Sequence, residues 1–134
     1  MFLLDKSAHE VRRRDLAAKA RFDQAMLDGQ LAVCEVTVLE LLYSARNSDD
    51  YRAVSGALET MPWLPTTNEA MRRALVVQRE LAAKGMHRRP IPDLVIAATA
   101  EQHGATVLHY DKDFDLIAEV TGQPVEWIVP RGSL

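Results

Sequence analysis

The feature that most constrains the fold is the segment 90–114, which predicts a helix followed at once by a buried strand. Pro92 and Asp93 suit the first turn of a helix, apolar residues follow at helical spacing, and Gly104 ends it. The apolar run at 105–110 is flanked by Gly and Asp, which is typical of a buried strand. A helix that returns to such a strand is a building block of parallel α/β sheets.

Acidic residues lie at both ends of this helix–strand unit. Asp93 opens the predicted helix, while Asp111 and Asp113 follow the predicted strand. In an open α/β sheet, ligands bind at the carboxyl ends of the strands, where these three side chains are expected to meet. Carboxylates held close together repel one another unless a cation lies between them. The unit therefore predicts a cation site, although Asp93 alone can also be read as a helix cap.

The rest of the chain continues the alternation of strands and helices. Short apolar runs predict strands at 1–4, 31–34 and 124–129, with 63–65 as an edge strand. Helical patterns occupy 7–28, a segment opened by Thr37, 49–61, 66–84 and 114–120. We therefore predict one α/β domain over residues 1–134, with a central, mainly parallel β-sheet flanked by helices and a helix-rich middle.

Composition narrows the class of protein. The chain has 134 residues and a formal net charge of −3, so any contact with nucleic acid must come from a local basic patch. Cys34, the only cysteine, excludes a disulfide within one chain and fits a reducing compartment. No apolar stretch approaches the roughly 20 residues that span a bilayer, and no signal-peptide pattern is present. These features predict a cytoplasmic protein with no membrane contact.

Two further acids follow the same positional rule. Asp5 stands after the first predicted strand, where Asp5 or Ser7 can also cap the next helix. Glu40 completes the pattern Thr37-x-x-Glu40, a capping box that gives it a structural explanation of its own. Taken together, the acids are predicted to collect at one edge of the sheet. A pocket of carboxylates favours Mg²⁺ or Mn²⁺ over zinc and suits phosphoryl chemistry.

The most concentrated basic run in the chain is Arg12, Arg13 and Arg14, within the first predicted helical region. It can be read as a solvated helix face or as a patch that contacts phosphates near the carboxyl end of the first strand. Both interpretations stay open at this stage.

Four segments together resemble a known family. They read Leu-Leu-Asp5-Lys-Ser-Ala, Val-Thr-Val-Leu-Glu40-Leu, Ile-Pro-Asp93-Leu-Val-Ile-Ala-Ala and His-Tyr-Asp111-Lys-Asp113-Phe-Asp-Leu-Ile-Ala. In this order they are similar to the motifs of PIN-domain ribonucleases, above all the VapC toxins of bacterial type II toxin–antitoxin systems. The resemblance implies a metal-dependent endoribonuclease, a homodimer, an RNA substrate and a VapB-like antitoxin as partner.

The resemblance also implies roles for individual residues. Four positions match the catalytic acids of the family: Asp5, Glu40, Asp93 and Asp111. Asp113 matches a frequent fifth acid and Ser7 a common Ser or Thr, whereas Lys6 departs from the small polar residue of many relatives. We expect Asp5, Asp93 and Asp111 to hold Mg²⁺ (Mn²⁺ is the alternative) with help from Asp113. Glu40 is expected to orient the attacking water or to bind the ion through water. Substrate contacts are expected from Ser7 and from Arg12, Arg13 and Arg14.

Other classes of protein fit less well. An aspartate-based phosphatase needs Asp-x-Asp-x-Thr after its first strand, where this chain has only Asp5-Lys6-Ser7. A receiver domain has paired acids after its first strand and a Lys after its last strand, and neither is evident. A non-catalytic interaction domain is the remaining alternative, and it requires no cation.

Overall fold

The structure, a computed structural model, describes residues 1–134 and alternates four strands with seven helices. In chain order these are β1 (Phe2–Leu4), α1 (Lys6–Val11), α2 (Leu16–Leu27), β2 (Leu31–Ala32), α3 (Glu35–Tyr43), α4 (Ser48–Glu59), α5 (Asn68–Ala82), α6 (Ile91–Gln102), β3 (Thr106–His109), α7 (Lys112–Thr121) and β4 (Val125–Trp127). One sheet contains all four strands, in the order β2-β1-β3-β4, and every neighbouring pair is parallel. The predicted α/β fold is therefore confirmed.

The strand order places a crevice between the two central strands. From β1 the chain first adds β2 on one side, and later adds β3 and then β4 on the other. In β1, Leu3 lies opposite Val107 of β3, and Leu4 lies opposite Leu108. Because all strands run in the same direction, their carboxyl ends share one edge of the sheet. The reversal of strand order at β1 is the position where open α/β sheets bind ligands.

The sheet separates two apolar layers, because alternate side chains of a strand point to opposite faces. Leu3 and Val107 pack in a cluster with α5, α6 and α7, whereas Leu4 and Leu108 pack in a cluster with α1, α2, α3 and α4. All four side chains have no exposed surface. Helix α6 is buried continuously from Asp93 to Ala100. A run of apolar residues without an amphipathic pattern is what a helix in that position needs.

The outer parts of the sheet differ from the prediction. The strand predicted at 31–34 is only Leu31–Ala32, and the edge strand predicted at 63–65 is a single bridge between Val33 and Trp63. Proline at positions 62 and 65 explains the short pairing, since proline has no N–H to donate to a strand ladder.

The capping box predicted at Thr37 is wrong. Helix α3 begins at Glu35, two residues earlier, and its N-cap residue Cys34 makes no side-chain capping bond. Thr37 lies inside the helix and donates its hydroxyl to the carbonyl of Leu4, at 2.8 Å. This bond fixes α3 against the carboxyl end of β1, so Thr37 positions the edge of the sheet that carries the acids.

The helix predicted over 66–84 begins slightly later in the structure. Thr67, not Thr66, caps α5 and accepts a hydrogen bond from the backbone N–H of Ala70 at 3.1 Å. The helix itself extends over most of the predicted range. None of the seven helices has the length and apolar character that crossing a membrane requires.

Candidate active site

Two of the predicted acids lie at the carboxyl ends of the central strands. Asp5 follows β1 directly, and its backbone N–H donates to the carbonyl of Leu108 in β3 at 3.0 Å. Asp111 follows β3 after one intervening residue. Both are helix N-caps: Asp5 Oδ2 accepts from the N–H of Ser7, and Asp111 Oδ1 accepts from the N–H of Asp113, each at 2.9 Å. The capping interpretation of Asp5 is correct, yet capping occupies only one oxygen of each carboxylate.

Ser7 connects the ends of the two central strands. Its hydroxyl donates to Asp5 Oδ2 and accepts from the backbone N–H of Tyr110 at 2.8 Å. These two bonds fix the side chain of Asp5 relative to the chain that follows β3. The substrate contact expected of Ser7 stays a prediction.

Asp93 is a buried acid at the start of α6. It lies in the first turn of α6 with 6% of its surface exposed, but the helix has no side-chain capping bond. Its Oδ2 is buried without a hydrogen-bond partner. Burial, reinforced by neighbouring negative charge, raises the pKa of Asp93 to about 8. The acids that contribute this charge are Asp5, Asp111, Asp113 and Glu40. Asp93 therefore makes no side-chain capping bond, and its Oδ2 is left without a partner.

Three acids converge closely enough to share an ion. Carboxylate oxygens of Asp93, Asp111 and Asp113 all lie within 4.8 Å of one another. Asp5 is outside this group of three but adjoins it, since the charge of Asp111 contributes to its pKa. Burial is the main reason why the pKa of Asp5 is raised. The family resemblance implied a direct place at the ion for Asp5 and a supporting one for Asp113, whereas the geometry brings Asp113 into the closest set.

Glu40 approaches the site from a different element. It lies in the middle of α3 rather than at a strand end or in a first helical turn, so its predicted position was wrong. Its Oε1 is buried and has no hydrogen-bond partner. Burial, followed by the charge of Asp5, raises the pKa of the Glu40 carboxyl. The capping box therefore does not explain Glu40, whose carboxyl is instead close enough to Asp5 to feel its charge.

The donor atoms at this edge fit a hard cation. The group of three offers carboxylate oxygens only. Two buried oxygens at this edge, Asp93 Oδ2 within the group and Glu40 Oε1 outside it, have no hydrogen-bond partner. Cys34 is buried in the apolar cluster and lies near Thr37 instead. Oxygen ligands without thiolate or imidazole are the set preferred by Mg²⁺ and Mn²⁺.

The family model described as the PIN domain matches residues 3–120. The chain belongs to the PIN-domain family. It is 46% identical over 134 residues to Ribonuclease VapC51 of Mycobacterium tuberculosis (strain ATCC 25618 / H37Rv), a match that covers 99% of this chain and 96% of that relative. The resemblance found in the sequence is thus confirmed.

Two solved structures extend this comparison. VapBC-5 of Mycobacterium tuberculosis, a member of the VapBC family of toxin-antitoxin systems, has 30% identity and a TM-score of 0.55, with 75% of this chain and 82% of that chain covered. DNA-bound VapBC from Salmonella typhimurium has 21% identity and a TM-score of 0.77, with 96% and 98% covered. The second likeness shows that the two proteins share this fold over nearly the whole chain.

Two cations lie near the acids of this PIN domain. Lys6, the departure from the family pattern, forms a salt bridge with Glu10 of its own helix at 3.6 Å. Arg89, in the loop before α6, donates from Nη1 to Asp113 Oδ1 at 2.6 Å. From the sequence, the loop with His87, Arg88 and Arg89 before Asp93 can be read as solvated or as a contact with RNA, and no signal there predicts the bond between Arg89 and Asp113.

The arginine run is separate from the acids. Arg12, Arg13 and Arg14 follow the end of α1, ~10 Å along the helix from Asp5. Arg12 is half-buried, contacts His9 Nε2 at 2.8 Å and lies over the ring of Phe22. Arg13 and Arg14 are exposed, and Arg12 and Arg13 line a cavity of about 340 Å³ between α1, α3 and α4. None of the three arginines forms a hydrogen bond or salt bridge with the three converging acids.

His109 is a packed residue at the end of β3. Its ring has no exposed surface and lies 5.1 Å from the ring of Phe114 and 4.9 Å from that of Trp127. Its Nδ1 accepts the N–H of Asp111 at 3.1 Å. Burial lowers the pKa of His109 to about 4, so the ring is neutral at pH 7. It orients Asp111 and carries no charge of its own there.

Proposed function

We propose that this PIN-domain protein is a metal-dependent endoribonuclease that acts as the toxin of a type II toxin–antitoxin pair. The observation that carries the proposal is the buried, unpartnered Oδ2 of Asp93 beside two further carboxylates, Asp111 and Asp113. Family membership supports the reaction class, since its relative VapC51 is named a ribonuclease. The substrate class is RNA in a single-stranded or loop conformation.

The ion of this site is Mg²⁺, with Mn²⁺ as an effective substitute. Asp93, Asp111 and Asp113 are the residues that hold it, with Asp5 beside them. When bound, such an ion lowers the pKa of a coordinated water and stabilises the negative charge that develops on the phosphate.

The chain's own groups prepare the site for that chemistry. The capping bonds hold one oxygen of Asp5 and one of Asp111, and leave the second oxygen of each free to face the ion or the substrate. Glu40 offers its buried Oε1 to orient the attacking water. His109 is not proposed as a base, because its ring has no exposed surface and packs against Phe114 and Trp127.

Substrate contacts are proposed for two regions. Ser7 lies at the site itself, where its hydroxyl already fixes Asp5. Arg12, Arg13 and Arg14 lie ~10 Å away, which suits contact with phosphates further along the RNA strand rather than with the scissile one.

Metal dependence is tested on the protein purified free of any antitoxin. We expect cleavage of a loop-containing RNA with Mg²⁺ or Mn²⁺ and none in excess chelator, with activity restored when Mg²⁺ is added back. The measurement is the rate of product formation on a denaturing gel. Equal cleavage in excess chelator contradicts the metal mechanism.

The proposed protein partner is a VapB-like antitoxin. The similarity to VapBC-5, a toxin-antitoxin structure at 30% identity, supports this proposal. The acidic cluster supplies a complementary site for a basic side chain of such a partner, because its carboxylates outnumber the cations that contact them.

A homodimer is also proposed. Helix α5 leaves apolar side chains exposed on its outer side, among them Met71 and Leu75, which are one helical turn apart. Burying them against a second copy would remove this surface from water. Sedimentation at micromolar concentration is expected to show a dimer, and a monomer alone would contradict the proposal.

A further inference from the structure

Arg89 is held firmly against the acidic site. Its Nη1 donates to Asp113 Oδ1 at 2.6 Å, and its Nε donates to the backbone carbonyl of Met86 at 3.2 Å. Anchoring at two points, one of them within its own loop, fixes the plane of the guanidinium. The positive charge is therefore a permanent part of the site rather than a mobile surface charge.

This ion pair differs from the others that arginine and lysine make in the protein. The side chains of Arg89 and Asp113 are 21% and 17% exposed, whereas those of the next most buried pair, Arg73 and Glu101, are 35% and 26% exposed. Partial burial strengthens the interaction between the two charges and weakens screening by salt. Burial also removes hydration from both groups, so stability alone gives little reason to place a pair there.

The position of the pair determines what it can do. Asp113 belongs to the group of three acids whose oxygens lie within 4.8 Å of one another, so the guanidinium lies within one carboxylate of the proposed ion. Arg89 occupies Oδ1 of Asp113, so that oxygen already has a positively charged partner. A fixed positive charge at this distance also repels any cation that enters the cluster.

We propose that Arg89 is a positioning residue that takes the place of a second metal ion. It holds Asp113 through Oδ1, and the group of Asp93, Asp111 and Asp113 would then bind a single divalent ion. The inference rests on the proposed function, because it presupposes that the acids bind a divalent ion. Beyond the proposed function, it states how many ions the acids bind and that Arg89 sets this number.

The experiment is calorimetric titration of the full-length protein with Mn²⁺ in the absence of RNA, which reads stoichiometry and affinity without activity. Wild type is expected to bind one ion. Arg89→Gln is expected to bind the first ion at least about tenfold more tightly, because a repelling charge is removed, and to accept a second, weaker ion. Arg89→Lys retains the charge and is expected to bind one ion with an affinity close to that of wild type.

Arg88→Gln is the matched control, since it removes the same charge from the same loop at an exposed position. It is expected to leave the affinity for Mn²⁺ and the number of bound ions unchanged. Circular dichroism establishes that each variant is folded. If Arg89→Gln binds Mn²⁺ as weakly as wild type or more weakly, Arg89 only supports the loop and the inference is overturned. Two ions in wild type overturn it as well. A wild-type protein that binds no Mn²⁺ refutes the proposed function itself, which is a separate result.

Discussion

We expect the Asp93→Asn protein to lose nearly all RNA cleavage and most of its stabilisation by Mg²⁺, and yet to be more stable than wild type without the ion at pH 8. The wild type should gain about 1–3 kcal/mol in free energy of unfolding when Mg²⁺ is well above its dissociation constant. An amide holds a hard cation more weakly than a carboxylate, so the variant should gain little. The effect of the substitution on stability depends on the ion because Mg²⁺ compensates the negative charge of Asp93, which is otherwise costly to bury.

The pH dependence follows from the pKa of Asp93, which the folded protein raises from 3.8 to about 8. Between pH 4 and pH 8 the folded state keeps a proton that the unfolded state has lost. The free energy of unfolding of the metal-free wild type therefore falls through this window as far as Asp93 is concerned, and the loss is complete above pH 8. Asn does not ionise, so the advantage of the variant should grow from pH 4 to pH 8.

The measurement is thermal unfolding of both proteins at several pH values, with and without Mg²⁺, beside an RNA cleavage assay. Asp15→Asn is the matched control, because Asp15 caps α2 with a bond to the N–H of Ala18 at 2.9 Å and lies outside the acidic group. It should retain both the Mg²⁺-induced increase in stability and the rate of RNA cleavage. An Asp93→Asn protein that keeps its Mg²⁺-induced shift and its cleavage rate would remove Asp93 from the site.

The sequence predicted the architecture because the buried strands are marked locally. The runs that became β1 and β3 are short, apolar and followed closely by Asp, and α6, which contacts both strands, is apolar along most of its length. These local signals place Asp5 and Asp111 at strand ends without any knowledge of tertiary structure. The parallel order then brings the two residues together.

The errors arose where tertiary contacts overrule a local pattern. Thr37 has the spacing of a capping residue, but its hydroxyl bonds to the carbonyl of Leu4, which is 33 positions away in the chain. Helix α3 begins earlier than predicted, so Glu40 lies in the middle of the helix rather than in its first turn. A local sequence pattern contains no information about a hydrogen bond between residues so far apart in the chain.

Arg89 shows the same limit for the site. In the sequence it is one of two adjacent arginines in a polar loop, and nothing local distinguishes it from Arg88. In the structure one of them is half-buried against Asp113 and the other is exposed. The choice depends on where the loop places each side chain relative to α7.

Glu40→Gln is expected to separate catalysis from metal binding. Glu40 is not among the three acids that converge, so the variant should retain most of the Mg²⁺-induced increase in stability. Its cleavage rate should nevertheless fall by at least about a hundredfold, because an amide cannot accept a proton from the attacking water. The pKa of Glu40 is raised by burial and then by Asp5, which keeps its carboxylate closer to the range useful for proton transfer.

Glu119→Gln is the control for the change from carboxylate to amide, since Glu119 is exposed on α7. It should match wild type in cleavage and in its Mg²⁺ shift. Cleavage rates at saturating Mg²⁺ distinguish the two possible roles of Glu40. If adding more Mg²⁺ restores the rate of Glu40→Gln and its stability shift is as small as that of Asp93→Asn, Glu40 is a ligand of the ion. If the rate stays low at every Mg²⁺ concentration while the stability shift persists, Glu40 acts on the water, as its free, buried Oε1 indicates.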